Sequence, residues 1–347
     1  MADKKISIII PCYNVESYVD RCFESLRNQT LGMDYMELIF VNDASTDNTL
    51  SKIMEYEKQY PDDIMVVNLE ENRGLGAVRN IALQYASAPY VGCVDSDDFV
   101  DGEMFEKMIE VIDENHCDFV ECDWGYFSEK QAELKKSAFE IGEEGYYDFS
   151  DYDVKMKYIA EQLFFTSACN KVYSREFLAN NNLFFWEGKR YEDIFFCFLV
   201  ILYAKSYCHI AKTYYHYYLN PKGIVQQRTA PYQFDRMDVS LAFLDACLDR
   251  GLYEQYKDAV EWMFLEKYYV YMIWDIWDVF TDQAYDYYLE MKTTIVELIP
   301  DYKSNPFRQL PFNKMDDMLL KLLEYPLSQE EFENLMEKLW KQQNMKA

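Results

Sequence analysis

The segment Val94-Asp95-Ser96-Asp97-Asp98 follows a short apolar run and is dense in carboxylates. A strand ending in Asp-x-Asp sets two carboxylates on one side of the chain, because side chains alternate with period two. Close carboxylates repel each other, and a cation beside them relieves the repulsion. Hard oxygen ligands with open water positions suit Mg2+ or Mn2+ carrying a substrate diphosphate. The plainer reading has the same aspartates capping the next helix or turn. A second acidic pair, Glu192-Asp193, stands directly before the apolar run Ile194-Phe195-Phe196-Cys197-Phe198-Leu199-Val200-Ile201-Leu202. That run is long enough for a buried helix. Acids at its start either cap it, worth ~1 kcal/mol, or supply a general base whose pKa is raised by desolvation and lowered by the helix dipole. One carboxylate can do both.

The elements that must position these groups follow from the hydrophobic pattern. Ile6–Pro11 reads as a buried strand, and Val15, Tyr18, Val19, Cys22, Phe23 and Leu26 then repeat at helical spacing, with Asn14 placed to cap. Strands are expected at Glu37–Val41, Ile64–Leu69, Tyr90–Val94 and Asp118–Tyr126, and helices from about Leu50 to Tyr56 and over Leu75–Ala86. This alternation predicts an α/β fold with a mostly parallel sheet and helices on both faces. Ligands in such sheets bind at the carboxyl ends of the strands. Pro11-Cys12-Tyr13-Asn14, Asn42-Asp43 and the aspartate segment all fall at strand ends. From about Pro231 the pattern becomes helical and rich in Tyr, Trp and Met. The expected division is a catalytic domain over 1–228 and an α-helical carboxy-terminal domain over 229–347.

Bulk properties narrow the class. The chain has 347 residues, enough for two domains, and half of them are hydrophobic. Asp and Glu outnumber Lys and Arg by 61 to 34, a formal net charge of −27. A field of that sign repels nucleic acid and anionic membrane. An anionic substrate must therefore be met locally, by a metal, a helix N-terminus or a few placed cations. The nine cysteines contain no C-x-x-C pair and read as buried thiols in a reducing compartment. No signal peptide opens the chain, and the longest apolar run, Ile194 to Ala204, at ~1.5 Å per residue falls short of a ~30 Å hydrocarbon layer. A soluble, cytoplasmic protein is expected.

At this point the ordered segments resemble a known family. Ile8-Ile9-Ile10-Pro11-Cys12-Tyr13-Asn14, Val41-Asn42-Asp43-Ala44-Ser45-Thr46-Asp47, Asn72-Arg73-Gly74, Arg79-Asn80 and Asp95-Ser96-Asp97-Asp98 look like the successive motifs of family-2 inverting glycosyltransferases, over roughly residues 5 to 220. The resemblance implies a GT-A fold and a nucleotide-sugar donor, most often a UDP-sugar. It implies that Pro11, Tyr13 and Glu16 line the base and ribose pocket and that Asp43 hydrogen-bonds the base. Asn72, Gly74 and Arg79 would lie along the donor, Asp95 would approach the ribose or sugar, and Asp97 would hold Mg2+ or Mn2+. By the same resemblance Asp193 is the base and Glu192 an acceptor-site or orienting residue. Lys171 falls near the acceptor side. His216, in Tyr214-Tyr215-His216-Tyr217-Tyr218, and Lys222 would meet the diphosphate. Val78 stands where the family commonly has Ala. Each residue also has a plainer role: an acid in a helix first turn for Glu16, surface ion pairs for Arg79, an Asx turn for Asp43 and aromatic packing for His216.

The resemblance also implies a glycan or lipid-linked acceptor and a place in bacterial surface polysaccharide synthesis. In the carboxy-terminal region, Trp262, Phe264, Tyr268, Tyr269, Tyr271, Met272, Trp274 and Trp277 either form that domain's core or bind an acceptor, and core is expected. Ser328-Gln329-Glu330-Glu331 reads as a capping box. The helix after it, with Phe332, Leu335, Met336, Leu339 and Trp340 on one face and Lys338, Lys341 and Lys346 beside them, has three uses open to it: its own domain, a second subunit or a membrane surface. A catalytically inactive scaffold on the same fold is the competing function. A sugar-phosphate nucleotidyltransferase lacks support, because no Gly-rich loop follows the first strand.

Overall fold

The apolar run after Lys5 forms strand β1, Ile6–Cys12, buried at every position. A strand covered on both faces reads as a continuous apolar run, which is why Ile8-Ile9-Ile10 shows no alternation. The structure is a computed structural model that describes residues 3–128, 131–136, 142–220, 223, 232–280, 283–310 and 314–344. The chain divides into two compact units, Met1–Gln227 and Arg228–Ala347.

In the first unit, β1 is followed by α1 (Val19–Arg27), β2 (Met36–Asn42), α2 (Thr49–Gln59), β3 (Ile64–Asn68), α3 (Leu75–Tyr85), β4 (Tyr90–Cys93), β5 (Phe99–Val100) and α4 (Met104–Asn115). Then come β6 (Phe119–Ser128), β7 (Gln131–Lys136), β8 (Gly145–Asp148), α5 (Tyr152–Ala160), β9 (Lys171–Ser174), α6 (Arg175–Asn180), α7 (Glu192–Tyr203) and β10 (Ser206–Tyr218). All the strands among the described residues join one sheet in the order β3-β2-β1-β4-β9-β6-β10-β5, with β7 on β6 and β8 on β10. The strands β3, β2, β1 and β4 run parallel. β9 then enters antiparallel between β4 and β6, and β10 lies parallel to β6. The sheet is therefore mixed: the parallel part is the stretch whose strand–helix alternation is regular in sequence. Its parallel strands bring the carboxyl ends of β1, β2 and β4 to one edge.

Helix α1 begins at Val19, with Tyr18 at the N-cap position, later than the spacing predicts. Asn14 does not cap it. Instead Asn14 takes a left-handed conformation, φ 53°, and its Oδ1 accepts from Thr46 N–H at 2.8 Å. Val19, Cys22, Phe23 and Leu26 form the buried stripe of α1, as the helical period requires. Helix α3 packs still more closely. A Cβ built on Gly76 would stand 2.2 Å from the Trp186 carbonyl oxygen, so only glycine fits.

The second unit holds α8 (Asp235–Asp249), α9 (Leu252–Gln255), α10 (Lys257–Leu265), a π-helical turn at Glu266–Val270, α11 (Tyr271–Val279), α12 (Ala284–Leu298), α13 (Lys314–Leu322) and α14 (Gln329–Asn344). Trp262, Phe264, Tyr268, Tyr269 and Met272 are buried in its core. The capping box forms: Glu331 Oε2 accepts from Ser328 N–H at 2.8 Å, and Glu331 N–H donates back to Ser328 Oγ at 3.3 Å. Phe332, Met336 and Leu339 of α14 are buried, and Phe332 stacks on Tyr288 of α12. The inner part of the α14 stripe is thus used inside its own unit, while Leu335 and Trp340 stay half-buried. Among the described residues no helix is long and apolar enough to cross a membrane.

The glycine contact is directly testable. At an open helical position alanine is favoured over glycine by about 1 kcal/mol. At position 76 the added methyl meets backbone, so Gly76→Ala is expected to destabilise by about 1–3 kcal/mol, read as a lower urea midpoint. A raised midpoint would contradict the close approach.

Candidate active site

The loops after β1 and β2 are stitched together. Asn14 N–H donates to Ser45 Oγ at 3.0 Å, Val15 N–H to Thr49 Oγ1 at 2.9 Å, and Glu16 N–H to Asp47 Oδ2 at 3.1 Å. Glu16 Oε2 in turn accepts from Asn48 N–H and Nδ2, both at 2.8 Å. Glu16 therefore braces the loop after β2 as well as standing at the strand edge. Tyr13 is 49% exposed at the same edge, and Pro11 pairs with Val41 in the β1–β2 ladder.

Asp43 is buried, and its carboxylate accepts from two loop amides, Arg73 N–H at 2.7 Å and Gly74 N–H at 3.0 Å. Asn72 Nδ2 donates to the Asp43 carbonyl at 3.3 Å. Gly74 sits at φ 79° immediately before α3, a conformation that glycine adopts without steric cost. Asp43 thus shapes the Asn72–Gly74 loop. A carboxylate has about four lone-pair sites, so two amide bonds leave it acceptor capacity for a ligand.

The acidic segment is a turn. β4 ends at Cys93, and Asp98 N–H closes onto the Asp95 carbonyl at 2.9 Å. Strand alternation therefore does not place these side chains; their partners do. Asp95 Oδ1 accepts from Arg79 Nη2 at 2.8 Å. Asp97 Oδ2 accepts from Asn220 Nδ2 at 2.9 Å, and its carbonyl accepts from Arg21 Nη2 at 2.6 Å. Asp98 is buried and accepts from Tyr215 Oη at 2.6 Å and Tyr218 N–H at 2.7 Å. Burial raises the Asp97 carboxyl above the usual range and Asp95 adds to this, against the Asn220 hydrogen bond. Burial and the charges of Asp97 and Asp95 push Asp98 up much further.

Arg79 joins this turn to α7. It is 2% exposed, and its Nη1 donates to Glu192 while Nη2 holds Asp95. Its guanidinium lies 5.2 Å from the centre of the Phe185 ring. Arg79 is not a surface ion pair: its terminal nitrogens are committed to the buried Glu192 and the half-buried Asp95. Tyr191 precedes α7 in a left-handed conformation, φ 65°, and makes no side-chain cap bond. Glu192 and Asp193 occupy the first turn. Burial pushes Glu192 up to about 7, with Arg79 opposing and Asp193 reinforcing. Burial pushes Asp193 up to about 6; Arg79 and the amides of the first turn oppose this, and Asp95 reinforces it.

Two expected site residues stand elsewhere. His216 is 1% exposed; its Nε2 lies 2.7 Å from Asp101 Oδ1 and its ring stacks on Phe99. Neighbours along a strand point to opposite faces, so Tyr215 rather than His216 meets the aspartates, and His216 is not placed to contact a diphosphate. Lys171 is likewise buried. Its Nζ is 2.8 Å from Glu121 Oε1 and donates to the carbonyls of Phe165 at 2.9 Å and Ser167 at 2.7 Å and to Asn170 Oδ1 at 3.0 Å. Four oxygen partners leave it no capacity for an acceptor; it fixes the backbone of 165–167. Lys222 lies outside the described residues. Tyr215, Asn220 and Arg21 were missed in sequence. Tyr215 is hidden in a run of five aromatic residues and Asn220 at its end, and nothing local distinguishes Arg21.

The chemistry of the donor set suits a divalent ion at the turn. Asp95 and Asp97 are hard oxygen ligands, and Asp97 is raised by burial and by its neighbour, as a carboxylate short of positive charge would be. Among the described residues no three His, Cys, Asp or Glu side chains form a metal cage. An ion held here would take its remaining ligands from substrate and water.

The acidic turn, linked through Arg79 to the half-buried Asp193 at the start of α7, sits on a mixed α/β sheet. The family described as glycosyl transferase family 2 matches residues 7–181. The chain belongs to glycosyl transferase family 2. It is 32% identical over 230 residues to the putative glycosyltransferase EpsH of Bacillus subtilis, covering 65% of this chain and 64% of that protein. It is 27% identical over 270 residues to the poly(ribitol-phosphate) beta-N-acetylglucosaminyltransferase TarS of Staphylococcus aureus, covering 76% of this chain and 44% of that protein. The chain thus spans less than two thirds of the length of either relative. The crystal structure of S. aureus TarS 1-349 in complex with UDP superposes with a TM-score of 0.58 at 25% identity, over 76% of this chain and 71% of that one. The mannosyltransferase PcManGT of Pyrobaculum calidifontis, in complex with GDP-Man and Mn2+, shares the fold at TM-score 0.53 and 14% identity, over 92% of this chain and 86% of that one.

The role of Lys171 can be separated from acceptor binding by stability. Lys171→Met strands the Glu121 carboxylate in the core and is expected to cost about 3–5 kcal/mol in urea unfolding. Adding Glu121→Gln should recover part of that loss. An unchanged midpoint in the single variant would return Lys171 to the list of ligand contacts.

Proposed function

We propose that the chain is a metal-dependent inverting glycosyltransferase that moves a sugar from a UDP-sugar to an acceptor hydroxyl in the synthesis of a cell-surface polymer. The observation that carries this is the charge chain Asp97–Asp95–Arg79–Glu192–Asp193. It links an acidic turn suited to a diphosphate-bound cation to a carboxylate whose pKa is raised to about 6. UDP in the TarS complex and the names of both relatives support the same reading.

In this reading Asp193 accepts the proton of the acceptor hydroxyl. The freed oxygen attacks the anomeric carbon from one face and the bond to the nucleoside diphosphate breaks on the other, so the configuration inverts. Asp97, with Asp95 beside it, would hold Mg2+ or Mn2+, which when bound neutralises charge on the departing diphosphate. Glu192 orients Arg79, and Arg79 holds Asp95 against the donor. Tyr13, Pro11 and the Glu16-braced loop border the nucleotide, with Asp43 and the Asn72–Gly74 loop beneath it. The inactive-scaffold alternative gains nothing from the geometry, because a binding module has no need of a buried carboxylate raised toward neutrality.

Asp193→Asn should lower the turnover of UDP-sugar by about 10²–10⁴-fold while UDP affinity measured by calorimetry stays the same. Equal turnover would remove Asp193 as the base. A base raised to about 6 is protonated below that pH, so kcat/KM should fall as pH drops through 6 and level off above it. Asp97→Ala should abolish the Mn2+-dependent part of UDP affinity. Identical titrations with and without the substitution would refute the metal assignment.

A further inference from the structure

Beside the acidic turn, the sheet carries an aromatic cluster that the reaction described above does not use. In the β6–β10 ladder Tyr215 pairs with Trp124 and Tyr217 with Tyr126. Residues two apart on a strand share a face, so Trp124, Tyr126, Tyr215 and Tyr217 line one side of the sheet. Tyr215 is the inner member, bonded to Asp98 and to the Asp95 amide. The same face therefore continues outward from the aspartates onto Trp124, Tyr126 and Tyr217. All three are half-buried. Trp124 meets Tyr126 at 4.8 Å, Tyr217 at 5.6 Å and Phe165 at 5.2 Å between ring centres, each edge to face. Phe165 is also half-buried, and both its backbone polar groups are pinned: its N–H donates to Glu121 Oε1 at 3.1 Å and its carbonyl accepts from Lys171.

Large aromatics usually bury themselves. Here four remain partly open in an edge-to-face array next to the acidic turn, with the backbone of Phe165 pinned by the buried Lys171–Glu121 pair. We propose that Trp124, Tyr126, Phe165 and Tyr217 form the acceptor subsite, and that it takes a neutral pyranose ring by its C–H face. The proposal rests on the transferase reading above. An aromatic face is electron-rich and attracts polarised C–H bonds. A pyranose with equatorial hydroxyls holds such C–H bonds together on one fixed face, whereas an open-chain alditol phosphate has no ring to hold its C–H bonds on one face. The subsite thus selects a sugar ring over a polyol-phosphate chain.

Saturation-transfer difference NMR with UDP and Mn2+ present tests this, using cellobiose, lactose and ribitol 5-phosphate as probes. The wild-type chain should transfer saturation to the ring C–H protons of at least one disaccharide and none to ribitol 5-phosphate. The double variant Trp124→Ala/Tyr217→Ala should lose the disaccharide signal while its UDP affinity, which also reports that it folds, is unchanged. Trp124→Phe, which keeps a ring, should retain it. The proposal is overturned if UDP binds but neither disaccharide gives a signal, if the signal survives in the double variant, or if ribitol 5-phosphate gives a signal that the double variant loses. Failure of the wild-type chain to bind UDP would instead overturn the transferase reading itself.

Discussion

The site depends on one buried guanidinium. Arg79 rises from α3 and is shared between Asp95 of the acidic turn and Glu192 of α7. Carboxylates this sheltered are costly when unpaired, and removal of one member of a buried ion pair typically costs several kcal/mol. The three elements are therefore held in one arrangement by charge as well as by packing. The packing is fitted to the same end. Gly76, three residues before Arg79, brings α3 against the backbone at Trp186, and Phe185 lies against the guanidinium. A slightly wider helix would lift Arg79 away from both of its partners.

Similar residues take different work according to what faces them. Asp97 and Asp98 are adjacent, yet Asp98 is covered by Tyr215 and the Tyr218 amide while Asp97 meets the side chain of Asn220. The first anchors β10 to the turn, and the second keeps lone pairs for a ligand. Glu192 and Asp193 divide in the same way: burial raises both, but Glu192 is covered and committed to Arg79 while Asp193 stays partly open. Lys171 and Glu121 form a second buried pair whose product is the fixed backbone of 165–167.

Much of this was legible in sequence, for local reasons. Strands β1 to β4 announce themselves as apolar runs, and the polar residues that follow them fall at the sheet's carboxyl edge as the parallel pattern requires. The capping box at Ser328 and the buried stripe of α1 are likewise matters of spacing within one element. What escaped the sequence was set by distant partners. Arg79 and Glu192 are 113 residues apart, so no local pattern separates a surface arginine from this one. His216 attracted notice as a rare histidine, but strand alternation gave the aspartate face to Tyr215. The antiparallel insertion of β9 between β4 and β6 was invisible because four residues carry it. Asp95 and Asp97 were placed on a strand that ends at Cys93, and the turn that carries them is closed by a backbone hydrogen bond that side-chain types do not encode.

The cysteines give the molecule a property separate from catalysis. All nine are free and buried. Eight lie in the first unit and a single one, Cys247, in the helical unit. A thiol reagent in solution thus reaches them only through opening of the structure, and regions open with different free energies. The residues labelled first identify which unit breathes first, so the chain carries its own set of reporters for partial unfolding, already distributed between its two halves.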